Sequence, residues 1–222
     1  MPPALIPVVA TAVAANIAVN VILPGWAYLP AMAGTGLVTV AIARQVGVSS
    51  DRLGLTRSRA GRAALVGLAA GTALAAIVAA GATVPGLRDL YVDERATGIG
   101  LAGLAYQVLL RIPLGTALGE ELVFRSAILG ICLRRWSTTV AVAVSSALFG
   151  LWHVLPTLDV LESNASVSGR PAGWIVVGAV LATGAAGAGF AALRLATGHV
   201  AAPIVLHAVL NGAAFTAAYL VG

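Results

Sequence analysis

The 222-residue sequence contains no lysine, a single cysteine and little charge of either sign, with only 9% of its residues Asp, Glu, Lys or Arg. A soluble domain carries about 25%, so this chain has too little polar surface to cover a globule in water. The lone Cys132 excludes an internal disulfide and a thiolate metal cluster. Every basic side chain is an arginine, and the net charge of +5 comes from arginines that lie mostly between apolar runs. Membrane topology accounts for that placement better than nucleic-acid binding does, and no nucleic-acid partner is expected.

What the sequence does have is apolar length. It is 59% hydrophobic with a mean hydropathy of +0.98. Apolar runs of about 20 residues recur, the length a helix needs to cross the hydrocarbon layer. The spans fall near 4–23, 27–43, 63–84, 138–155, 174–193 and 200–221. The first run lacks the basic start of a cleaved signal peptide and reads as a span. Segment 97–135 holds 39 residues, too many for one crossing at about 1.5 Å per residue. Pro113 is a natural break there, predicting a short kinked or interfacial helix near 98–112 and a span near 113–133. The fold class is therefore all-α, a polytopic transmembrane helical bundle of seven or eight spans. Residues 1–97 supply N-terminal helices and residues 98–222 the core of one integral membrane unit.

Between the spans lie an arginine-rich loop at 44–62, an acidic loop at 85–96 and a polar loop at 156–172. Arg134, Arg135 and Arg194 fall on the same side as the first of these if 98–112 does not cross. That side is expected to be cytoplasmic, and a compact Ala/Gly/Arg-rich chain of this kind suggests a bacterial plasma membrane. Gly67 with Gly71, and Gly184 with Ala188, are spaced for close helix packing in lipid.

Ionisable groups inside spans are costly and mark function by default. Glu120, Glu121, Arg125, His153, His207 and the amide Asn211 are the candidates, whereas Arg111 and His199 are expected near span ends, facing the interface. Glu121 and Arg125 are four apart and share a helix face. Glu120, five from Arg125, points about 140° away at about 100° per residue, so one acid is neutralised and the other is left to aim elsewhere. Phe149 with His153, and His207 with Asn211, repeat the four-residue spacing. Counted inward, Glu120 lies 14 residues from Arg134, His153 lies 18 from Arg135 and His207 lies 13 from Arg194. Three helices thus bring a carboxylate and two imidazoles to a similar depth, roughly 20–27 Å.

A buried carboxylate beside a neutral imidazole can activate water as a general base, and a second histidine with an amide can stabilise an oxyanion. Ser126, Ser145 and Ser146 have no sequence-local partner and Cys132 lies in an apolar run, which disfavours a nucleophilic serine or cysteine. A zinc ion held by Glu120, His153 and His207 is the competing reading, although the H-E-x-x-H signature is absent. A metal-free glutamate mechanism ranks above it, so no cofactor is favoured. A proton-relay transporter is a further alternative, but no paired inverted repeat supports it.

The ordered set E-E-x-x-x-R (Glu120, Glu121, Arg125), F-x-x-x-H (Phe149, His153) and H-x-x-x-N (His207, Asn211) resembles the CPBP intramembrane proteases. That family includes the type II CaaX prenyl endopeptidases and the Abi bacteriocin-immunity proteins. The resemblance implies an intramembrane endopeptidase that hydrolyses a peptide bond of a membrane-associated peptide or protein, with the bilayer as its setting. It implies that Glu120 and His153 activate water, that His207 and Asn211 form the oxyanion site, and that Glu121 with Arg125 organises the helix. Ser126 stands where many members have glycine after the arginine. A non-proteolytic self-immunity or scaffold protein, or a zinc-dependent protease using the same residues, is the alternative.

Overall fold

Within lipid a backbone must satisfy its own N–H and C=O groups, and an apolar chain rich in alanine does so by coiling into helices. A computed structural model describes residues 3–163 and 171–222, and among these there is no strand. Seven helices are long and apolar enough to cross a membrane. They are α1 (Leu5–Ile22), α2 (Gly25–Gln45), α3 (Ser50–Ala82), α4 (Leu101–Cys132), α5 (Thr138–Glu162), α6 (Ala172–Thr197) and α7 (Ala201–Val221). Short 3₁₀ turns at Pro85–Tyr91 and Glu94–Ala96 link α3 to α4.

The expected division at Pro113 is not found. Residues 101–132 form one helical run, and Pro113 sits inside a π-helical stretch, Gln107–Ala117. A π turn bonds each N–H five residues back, so the ladder is already rearranged where proline withholds its donor. Its wider turns also advance less per residue, which shortens a helix otherwise too long for one crossing. A second π stretch, Leu122–Ile128, carries the chain past Arg125. Among the described residues, then, seven helices and not eight are long and apolar enough to cross.

The predicted 156–172 loop also differs, because α5 resumes at Val154 after a break at His153 and stays helical to Ser163. Its Asn-Ala-Ser-Val-Ser-Gly-Arg stretch, residues 164–170, lies outside the described residues.

Alternate crossing puts the arginine-rich 44–62 segment, the α4–α5 turn and the α6–α7 turn on one face. Hydrogen bonds tie the three together. Arg134 Nη1 donates to the Val46 carbonyl, and Arg52 Nη1 donates to the Leu133 carbonyl at 3.0 Å. Arg194 Nη2 donates to the Arg52 carbonyl, and the Val200 amide donates to the Gly54 carbonyl at 2.9 Å. His199, expected at the interface, is instead buried in the α6–α7 turn, where its Nδ1 accepts from the Ala201 amide at 2.9 Å and caps α7. Burial, and then the charge of Arg194, lower its pKa, in keeping with this acceptor role for a neutral ring.

Small residues set the helix spacing. Gly67 and Gly71 are both buried on α3 against α7, as their spacing suggested. A methyl group on Gly67 would run into the Ala202 backbone carbonyl, which cannot move aside as a side chain can. Gly67→Ala is therefore expected to destabilise the bundle by about 1–3 kcal/mol, read as a lower thermal midpoint in detergent. An unchanged midpoint would mean that α3 and α7 do not pack along this stripe.

Candidate active site

The carboxylates of Glu120 and Glu121 lie in the single α-helical turn, Leu118–Glu121, between the two π stretches of α4. Both are buried, as are Arg125 and His207, with Arg125 and Glu121 fully enclosed. Arg125 Nη1 donates to Glu121 Oε1 at 3.2 Å, the ion pair that the four-residue spacing predicts. The same oxygen is 2.9 Å from His207 Nδ1 on α7. A carboxylate only accepts, so Nδ1 carries the proton and Nε2 is the nitrogen turned toward Glu120. His207 Nε2 stands 4.0 Å from Glu120 Oε2.

Glu120 is held from the other side. The indole N–H of Trp152 on α5 donates to Glu120 Oε1 at 3.2 Å, while Oε2 is buried with no hydrogen-bond partner. One oxygen is therefore fixed and the other is left without a partner. Sequence reasoning passed over Trp152, although a buried indole N–H needs an acceptor. It also passed over Asn16 on α1, whose Nδ2 donates to the Trp152 carbonyl at 2.9 Å. An amide within a span was the available signal.

Arg125 has two nitrogens, Nε and Nη2, without hydrogen-bond partners. Aromatic faces surround it instead, with Cζ 3.9 Å from the Phe149 ring centroid and 5.1 Å from that of Phe190. Cation–π attraction is worth about 2 kcal/mol or more when desolvated. Gly187 on α6 leaves room for this cage, since a Cβ there would meet Phe149 at 3.0 Å and Arg125 Nη2 at 3.1 Å.

His153 occupies the break in α5. Its Nδ1 donates to the Phe149 carbonyl at 2.8 Å, which leaves Nε2 as an acceptor, and its ring packs edge-on against Phe149 at 4.6 Å between centroids. The imidazole in contact with Glu120 is thus His207, whereas the expectation from resemblance paired Glu120 with His153. Trp152, the last residue of α5 before the break, takes the position facing the carboxylate. Among the described residues no serine is hydrogen-bonded to the carboxylates or histidines of this cluster. Ser145 Oγ donates to the Phe124 carbonyl at 2.8 Å, and the buried Ser126 and Ser146 hydroxyls contact no histidine among the described hydrogen bonds.

Glu120, Trp152 and Asn211 line a cavity of about 1150 Å³, and His153 and His207 do not. Arg111, expected at the interface, also lines it, with its guanidinium 4.0 Å above the Tyr28 ring. At the mouth, Asp93 is chelated by Arg95 through bonds of 2.7–3.2 Å. Burial pushes the Asp93 carboxyl up, but the hydrogen bonds and charge of Arg95 outweigh this and hold it below its usual value. A pocket of this size slightly exceeds a typical small-molecule site of about 300–1,000 Å³.

Among the described residues no three His, Cys, Asp or Glu side chains converge as metal ligands. Glu120 and His207 are close, but His153 does not complete a set with them, so this arrangement does not fit the three-ligand zinc site.

Neither the curated proteins nor the solved structures contain a match to the chain. A family model does match, over residues 101–213, just over half of the sequence, and it covers all three motifs and every side chain of the cluster except Asn16. The chain belongs to the type II CAAX prenyl endopeptidase Rce1-like family.

Proposed function

We propose that this protein is an intramembrane endopeptidase that hydrolyses a peptide bond of a membrane-associated peptide or protein by direct attack of water, with Glu120 as general base. One observation carries the reading: a buried carboxylate on the cavity wall has one oxygen pinned by Trp152 and the other unpaired, 4.0 Å from an imidazole nitrogen. That separation is too long for a direct hydrogen bond and suits a water between the two groups.

In this mechanism Glu120 Oε2 takes a proton from the water as its oxygen attacks the scissile carbonyl. The carbonyl π pair moves onto oxygen, and Glu120 returns the proton to the departing amine as the C–N bond breaks. The Asn211 amide, on the cavity wall, donates to the developing oxyanion. Glu121 fixes the His207 ring and Arg125 fixes Glu121, so these residues position the reacting groups. His207 Nε2, which faces Glu120 Oε2, is the second acceptor for the attacking water, whereas the family resemblance gives that role to His153. The arginine-rich face is cytoplasmic by the positive-inside rule, and the membrane is a bacterial plasma membrane.

Purified protein, tested on a broad panel of apolar peptides, should cleave a subset of them. Loss of cleavage in Glu120→Gln supports the assignment, and cleavage at the wild-type rate would overturn it. Trp152→Phe keeps the packing and removes the indole donor. A hydrogen bond to a charged group is worth about 1.5–3 kcal/mol, so turnover should fall roughly 10–100-fold. A Trp152→Phe enzyme with wild-type turnover would mean that the indole is only packing.

A further inference from the structure

We propose that the active-site cavity opens on the outer side of the membrane, so that the substrates are peptide segments presented at the external surface rather than in the cytoplasm. Two independent observations combine here. The first is where the cavity lies. It is lined by Gly25 and Trp26 of the α1–α2 turn, Leu90 and Asp93 of the α3–α4 link, Pro156 near the end of α5 and Phe215 near the end of α7. No lining residue comes from 44–62, 133–137 or 194–200. The path to Glu120 therefore starts from the face opposite the hydrogen-bonded arginine-rich loops.

The second observation is charge. The arginine-rich face carries five arginines within 44–62, together with Arg134, Arg135 and Arg194, against one acid, Asp51. The α3–α4 link on the cavity side carries Arg88 and Arg95 against Asp89, Asp93 and Glu94. Arginines in short loops next to span ends hold their side in the cytoplasm, and the excess of arginine lies on the face opposite the cavity. With that face inside, the cavity mouth is outside. The orientation stands on geometry and charge alone, while the nature of the substrate rests on the endopeptidase reading.

Two measurements separate these parts. In a Cys132→Ser background, single cysteines are placed on the cavity side (Thr97→Cys or Val92→Cys) and on the arginine-rich side (Ser58→Cys or Ser50→Cys), all at exposed positions. A membrane-impermeant maleimide applied to intact spheroplasts should label the first pair and spare the second until the cells are lysed. Labelling of the second pair alone, or of both pairs equally, overturns the orientation. Next, a quenched, membrane-impermeant peptide library is offered to spheroplasts and to sealed inside-out vesicles. Cleavage in spheroplasts that disappears in Glu120→Gln supports external substrates, and cleavage confined to the vesicles overturns them. If neither preparation cleaves while the labelling is as expected, the orientation is upheld and the endopeptidase reading fails.

Discussion

Glu120→Gln is expected to lower turnover by about 10²–10⁴-fold, the usual contribution of a positioned general base, with little change in thermal stability. Glutamine keeps an oxygen to accept from Trp152 and keeps the shape of the side chain, so packing on the cavity wall survives. What disappears is the basic oxygen that faces His207 across 4.0 Å. The loss should fall on kcat more than on KM, because the group acts on water rather than holding the peptide. Glu121→Gln is the informative contrast. That residue holds Arg125 and His207 rather than facing the cavity, so its replacement should cost stability and leave a larger share of turnover. Equal turnover losses with equal stability in the two variants would sink the division of labour between the acids.

That division was partly legible in the sequence, and the limits follow from particular residues. The Glu121–Arg125 pair depends only on a spacing within one helix, and the four-residue step brings the groups to 3.2 Å despite the π turns that follow. The seven spans were legible because hydropathy and length are local. Contacts between helices depend on how each helix is rotated, which no spacing encodes. The sequence thus placed His207 and His153 at a similar depth to Glu120 but did not say which of them meets it. Pro113 misled for a related reason, since the rule that proline ends a helix assumes α-helical bonding, and the π stretch around it has already changed the partners. Asn16 shows a further limit. It supports Trp152 from outside the motif-bearing region, so the N-terminal helices take part in building the site and are more than generic anchors.

Arg125→Met is expected to be the most destabilising single substitution at the site. Methionine fills much of the same volume against Phe149 and Phe190, so loss of packing is not the main effect. The charge is. Removing one partner of a buried ion pair leaves the other without compensation and costs about 3–5 kcal/mol, roughly 6–20 °C in thermal midpoint for a domain of this size. In Arg125→Met, Glu121 would remain fully enclosed with only His207 Nδ1 as a donor. It must then take up a proton or force one onto His207, and either change disturbs the ring that faces Glu120. The double variant Glu121→Gln/Arg125→Met carries no buried charge at this pair and should recover most of the lost stability, because a neutral amide can still accept from His207 Nδ1. Thermal unfolding of the three variants in detergent, set against wild type, closes the cycle. If Arg125→Met melts with the wild type, the guanidinium is not the counter-charge that holds Glu121. If the double variant is no more stable than Arg125→Met, the loss comes from the aromatic cage around Arg125 rather than from an uncompensated carboxylate.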